Sequence, residues 1–262
     1  MDLKTLQSFI RYFIFSRHKY GHGIHSPFIF DVVSNVFRNK TDSAIVCKIE
    51  NIRKKLIADN RVIEVCDRGA GSAKMKSRFR KVSDIAVISA VPGKYGVLLY
   101  NLSQAFGGSF ILEFGTSLGI STMYLASGKC DAMVVTMEGC HNTSEIAREC
   151  FSQAEITNIQ ILTGDFDGLL PSVKSLKTPP GLVFIDGNHR KDPLLKYFSF
   201  TAEISDENTV IVVDDIHSSR EMNEAWEIIR EDPRITASVD IFRMGILFFR
   251  TGITPGTYVV RY

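Results

Sequence analysis

Apolar residues follow two rhythms along the chain. From 109 to 250, short apolar runs alternate with stretches of helical spacing. The runs at 109–114, 132–138, 159–163, 181–186 and 209–214 are nearly continuous. Strands covered on both faces read this way, because neither face alternates with water. Asn142 with Glu145, and Ser218 with Glu221, have the spacing of a helix cap and its reciprocal partner. Asp192-Pro193 sets a capping acid before a proline at the first helical position. Ser238–Phe242 and Gly245–Arg250 read as two adjacent strands turning at Arg243-Met244, an antiparallel hairpin at a sheet edge. Strands alternating with helices predict right-handed crossovers. The expected fold is α/β, a doubly wound and mostly parallel sheet of seven strands.

Residues 1–108 have a different texture. Leu3, Leu6, Phe9, Ile10, Phe13 and Ile14 have helical spacing, as do Ile45, Ile49, Ile52 and Leu56 within 42–58. Between them, Lys19–Phe28 is a shaped loop with two glycines, His22, His25 and Pro27. Packed against its neighbours, this loop anchors the N-terminal helix. Turned toward a pocket, its histidines would touch substrate. Arg61–Cys66 reads as a short strand, Asp67–Ser72 as a loop, and 94–106 as a helix. Division near residue 90 gives an N-terminal, mostly helical cap (1–90) and a second domain (91–262). The cap would pack at the carboxyl edge of the sheet, where substrate must be shielded from water.

Composition narrows the function. The chain has 262 residues, 45% hydrophobic and 23% charged, which suits a packed globular protein and argues against wholesale disorder. A net charge of +2 gives no global electrostatic case for nucleic acid. The basic run Lys74, Lys76, Arg78, Arg80 and Lys81 reads as a solvated face or a local contact for an acidic substrate or RNA. No stretch reaches the roughly 18 apolar residues of a membrane span. Five cysteines form no CxxC pair, so free thiols and a cytoplasmic setting are expected.

Chemistry concentrates at the ends of the apolar runs. Ile111-Leu-Glu-Phe-Gly-Thr-Ser-Leu-Gly-Ile-Ser-Thr122 is a strand, a glycine loop and a helix start. Glycines let backbone approach a ligand, and the helix start offers N–H groups to an anion. The spacing is E-x-G-x-x-x-G and lacks the third glycine of dinucleotide folds. Glu138 ends the next strand, where a carboxylate can accept both hydroxyls of a ribose. Asp186, and Asp214 with Asp215, close two later strands. If those strands are neighbours, the acids can share a hard cation such as Mg²⁺ or Ca²⁺. The same acids also serve as helix caps or as partners of Arg190 and Arg220. Histidine's ordinary pKa is about 6.5, which makes His189 and His217 candidate bases, His217 also a candidate metal ligand.

Over about residues 88–250 these motifs resemble the class I S-adenosylmethionine-dependent methyltransferases, and among them the catechol-type O-methyltransferases. The resemblance implies that Glu113, Gly115, Ser117, Gly119 and Ser121 hold the methionine part of the cofactor. Glu138 then holds the ribose, and Asp165 with Phe166 forms the adenine rim. Val91 and Gly96, in Val91-Pro-Gly-Lys-Tyr-Gly96, match the segment over the cofactor, and Asp186 lies at the same site. It further implies a divalent metal on Asp186, Asp214 and Asp215, with Asp215 standing where the family has asparagine. His189 stands where the family has the lysine that takes the substrate proton. The implied activity is methyl transfer to the oxygen of a small molecule, with Asp186 and His189 catalytic and a homodimer compatible with the exposed apolar N-terminus. RNA or protein methylation, with the N-terminal region as recognition element, and a non-catalytic cofactor-binding module remain the alternatives.

Overall fold

A computed structural model describes residues 12–13, 16, 23–66 and 77–262. Leu3, Leu6, Phe9, Ile10 and Ile14 of the expected N-terminal helix, His22, residues 67–72 of the expected loop, Lys74 and Lys76 lie outside the described residues. The chain divides into two compact units, Lys40–Thr178 and Met1–Asn39 with Pro179–Tyr262. The expected boundary at residue 90 falls inside the first of these.

The Lys40–Thr178 unit opens with α2 (Ser43–Ile57), where the Asp42 side chain caps by accepting from the Ala44 N–H. A two-stranded antiparallel ribbon follows, β1 (Val62–Glu64) with β2 (Phe79–Lys81). Then come α3 (Val82–Ser89), α4 (Gly93–Phe106), β3 (Phe110–Phe114), α5 (Ile120–Gly128), β4 (Met133–Glu138), α6 (His141–Ala154), β5 (Ile159–Thr163) and α7 (Phe166–Lys174). Strands β3, β4 and β5 pair in parallel, in that order. Every residue of β3 is buried, as its unbroken apolar run requires.

The other unit begins with α1 (Pro27–Asp31), which continues as a π-helical turn over Val32–Val36. The buried Ser26 side chain accepts from the Ile29 N–H, and Pro27 opens the helix. The shaped loop is thus in part a helix cap, and His25 in it is exposed. Next are β6 (Leu182–Ile185), α8 (Lys191–Glu203), β7 (Val210–Val213), α9 (Arg220–Arg230), β8 (Ala237–Asp240), β9 (Gly245–Phe248) and β10 (Gly256–Val259). Their order is β10-β8-β9-β7-β6. Strand β9 runs antiparallel to β7 and β8, while β6–β7 and β10–β8 are parallel.

The α/β architecture, the mostly parallel pairing and the reversed hairpin match the expectation. The strand count does not, because β10 joins β8 as an additional strand. Its four residues are too short and too mixed to announce a strand, and pairing with β8 decides them. The caps also shift. Helix α6 starts at His141 after Cys140, and Asn142 donates instead to the Glu64 carbonyl. Ser219, not Ser218, caps α9, and α8 starts one residue before Asp192. Among the described residues no single helix is long and apolar enough to cross a membrane; α3 and α4 pass that test only together, and they bend by 68° at their break.

Candidate active site

The glycine loop is built from both ends. Gly115 (φ 98°), Ser117 (φ 49°) and Gly119 (φ 83°) take the left-handed conformation, which reverses the chain between β3 and α5. A Cβ on Gly119 would also stand 2.4 Å from the Phe151 ring, so packing as well as φ excludes a side chain there. The N–H groups of Gly115 and Thr116 donate to the Met137 carbonyl. The Glu138 carboxylate completes the hold. Its Oε2 accepts from the Ser117 N–H at 2.8 Å and its Oε1 from the Cys140 N–H at 2.9 Å.

Glu113 lies beneath the loop and is fully buried. Its Oε2 accepts from the Thr122 hydroxyl at 2.5 Å and the Thr136 hydroxyl at 2.7 Å. Thr116 and Thr136 join at 2.7 Å. Burial pushes the Glu113 carboxyl above its ordinary range, and hydrogen bonds from Ser121, Thr122 and Thr136 restrain the rise. Among the described residues Glu113 Oε1 is a buried acceptor without a hydrogen-bond partner. Such an atom is costly, by about 1–3 kcal/mol, and is the kind a ligand donor can satisfy. Asp165 precedes α7, and Phe166 meets Phe114 edge-on at 5.8 Å.

Val91 is held by a network the sequence did not announce. Arg53 donates to the Val91 carbonyl at 2.7 Å and pairs with Glu50 at 2.9 Å. Glu50 accepts from the Tyr124 hydroxyl at 2.8 Å. Glu50 and Arg53 are spaced three apart on α2, the signal of an ordinary helix-face pair, and only the packing of α2 on α5 turns them toward Val91.

The acidic strand ends lie in the other unit. Strands β6 and β7 are neighbours with Ile185 opposite Val213, so Asp186 and Asp214 leave adjacent strands as expected. Asp214 is fully buried and grips Arg243 with both oxygens, at 3.0 Å to Nε and 2.8 Å to Nη2. Arg243 Nη2 also lies 3.5 Å from Asp215, whose backbone is left-handed (φ 53°). Burial pushes the Asp214 carboxyl up and the Asp215 charge adds to this, while Arg243 opposes both. Breaking a buried pair of this kind costs about 3–5 kcal/mol. Among the described residues no group of three or more His, Cys, Asp and Glu side chains is placed to hold a metal. The acids thus meet a guanidinium rather than a shared cation site. The partners considered from the sequence, Arg190 and Arg220, are not those of Asp214, and Arg220 pairs with Glu224.

His189 Nε2 lies 3.5 Å from Asp186 Oδ1, and its side chain is 37% exposed. His217 is different. Its Nδ1 faces Asn223 Oδ1 at 2.6 Å and its Nε2 faces Asp240 Oδ2 at 2.8 Å. Burial works against its charge, but Asp240 and Asn223 outweigh burial and raise its pKa. Two oxygen neighbours on one ring describe an imidazolium. Both ring nitrogens of His217 are thus engaged within the fold, in contrast to the expectation of a base or metal ligand, and its partners favour the charged form.

With this geometry in place, comparison with known proteins is informative. Residues 112–216 match the methyltransferase-domain family. Two catechol O-methyltransferases, from Niastella koreensis and Mycobacterium tuberculosis, are each 32% identical over 132 and 131 residues. The alignments cover 49% of this chain and 58% and 56% of those proteins, so the chain spans less than two thirds of the curated relatives it matches. The solved O-methyltransferase from Bacillus cereus in complex with SAH has a TM-score of 0.58 at 20% identity, covering 80% of this chain and 93% of that one. The chain has the methyltransferase fold.

Proposed function

We propose that this methyltransferase-fold chain is an S-adenosylmethionine-dependent enzyme that methylates an oxygen of a small molecule. The observation that carries the reading is the glycine loop clasped by Glu138, a nucleoside-type cradle in a segment that matches a methyltransferase family. Gly115, Ser117, Gly119 and Ser121, with Glu113 beneath, would receive the methionine part. Glu138 would receive the ribose, and Asp165 with Phe166 the adenine, while Val91 would border the same cofactor. When bound, S-adenosylmethionine supplies an electrophilic methyl group.

The chain's own contribution is positioning and proton handling. His189 takes the proton of the substrate hydroxyl, and Asp186, 3.5 Å away, orients the ring. The divalent ion implied by the resemblance does not fit the acids as they stand, because Asp214 is gripped by Arg243. The proposed chemistry has no step through a metal. The region upstream of Val91 would contribute to substrate recognition. Free cysteines support a reducing, cytoplasmic setting.

Calorimetric titration with S-adenosylhomocysteine tests the reading, with NAD⁺ as control. Micromolar binding of S-adenosylhomocysteine is expected, followed by methyl transfer to a hydroxyl in a substrate screen. No binding of S-adenosylhomocysteine overturns the proposal.

A further inference from the structure

We infer that the Arg243 guanidinium takes the place of a divalent cation at the acidic strand ends, so that Asp186, Asp214 and Asp215 work without a bound metal. The inference rests on the methyltransferase reading only for the expectation of a metal at these acids. The charge pattern comes from the structure itself.

Every acid of the group faces a basic side chain. Asp214 is fully buried and doubly hydrogen-bonded to Arg243 Nε and Nη2, at 3.0 and 2.8 Å. Asp215 lies 3.5 Å from the same Nη2. Asp186 lies 3.5 Å from His189. A hard cation needs carboxylate oxygens gathered on one point. Both Asp214 oxygens are instead aligned on the flat fork of the guanidinium, the geometry that a bidentate arginine pair prefers.

The chain is shaped to deliver this arginine. Arg243 sits in the Ile241–Met244 turn between β8 and β9. There its N–H donates to the Ile241 carbonyl two residues back, closing a γ-turn around Phe242. Phe242 has φ 72°, a region that a bulky side chain enters only when its surroundings over-determine it. The Phe242 N–H donates to Asp240 Oδ1 at 2.7 Å, and its ring packs on the His217 ring at 5.4 Å. The Arg243 carbonyl in turn accepts from the Ile216 N–H, just past the two aspartates. Main chain and side chain of one residue therefore pin the segment 214–216. A turn strained at Phe242 and tied by the part-buried His217–Asp240 pair is a costly device for an ornamental surface arginine. It is the device expected where an internal cation must be held at a fixed point.

The test is binding of Mn²⁺, read by electron paramagnetic resonance on the full chain after chelation, with and without S-adenosylhomocysteine. Wild type is expected to leave Mn²⁺ free up to about millimolar concentration. Arg243→Met, which removes the guanidinium and keeps much of the stem, is expected to gain a site of at least tenfold higher affinity. Stoichiometric micromolar Mn²⁺ on wild type overturns the inference, and so does a folded Arg243→Met that gains no site. Circular dichroism checks the fold of the variant. If it does not fold, the wild-type titration decides alone. Failure here is distinct from failure of the methyltransferase reading, which shows as lost S-adenosylhomocysteine binding whatever Mn²⁺ does.

Discussion

Replacing Gly96 by alanine sets two effects of opposite sign against each other. Gly96 lies within α4, and alanine there gains roughly 1 kcal/mol of helix propensity over glycine. A Cβ at this position would stand 2.3 Å from Tyr124 Cε2 and 2.5 Å from Cδ2. Tyr124 is fully buried and cannot swing into solvent. Crowding of this kind costs about 1–3 kcal/mol. If the ring shifts, its hydroxyl leaves Glu50, now 2.8 Å away, and a hydrogen bond to a charged acceptor is worth about 1.5–3 kcal/mol. The clash therefore wins, by about 2–5 kcal/mol of a total near 5–15 kcal/mol. For a chain of this size that lowers Tm by about 4–20 °C. Differential scanning calorimetry measures it. Because Glu50 also holds Arg53 and so the Val91 carbonyl, affinity for S-adenosylhomocysteine should fall with stability. Pairing Gly96→Ala with Tyr124→Leu, which makes room for the methyl, should cost less than the sum of the two single changes. A Gly96→Ala protein that melts at or above the wild-type temperature refutes the packing argument.

Other outcomes follow from the same geometry. Glu138→Ala removes the anchor of the glycine loop at Ser117 and the contact to the Cys140 N–H, and calorimetry should show S-adenosylhomocysteine bound at least tenfold more weakly. His217 has a raised pKa in the fold, so its pair with Asp240 contributes stability that is fully present below about pH 6.5, the ordinary histidine value, and is lost as pH rises through the higher folded value. Urea midpoints from pH 5.5 to 9 should show this decline in wild type and a flatter profile in Asp240→Asn; identical profiles would remove the imidazolium assignment. Cys47, Cys66 and Cys130 are exposed, whereas Cys140 and Cys150 are buried, and burial pushes the Cys150 thiol up to about 12. Titration with a disulfide reagent at pH 8 should therefore consume three thiols rapidly and the other two only after denaturation.

The apolar runs were sufficient to locate β3 to β7, because a strand buried on both faces must be apolar at nearly every position, and that constraint is local. The E-x-G-x-x-x-G loop was legible for a similar reason: a left-handed backbone at Gly115 and Gly119 is a property of those residues themselves. The adjacency of Asp186 and Asp214 was conditional in the sequence and is decided by the parallel pairing of β6 with β7. Long-range pairing decided the rest. Strand β10 is four mixed residues that become a strand by joining β8. Glu50 and Arg53 have the spacing of an unremarkable helix pair until α2 packs on α5 and aims them at Val91. His217 and His189 look alike in the sequence, yet Asp240, 23 residues beyond His217, engages one within the fold while the other stays partly exposed beside Asp186. Arg243, which lies 29 residues from Asp214, reaches it only because the hairpin folds back and strains Phe242 to bring it there. Local composition determines which residues can be strand, turn or acid; which charge an acid meets is settled only when distant segments are brought within a few ångströms.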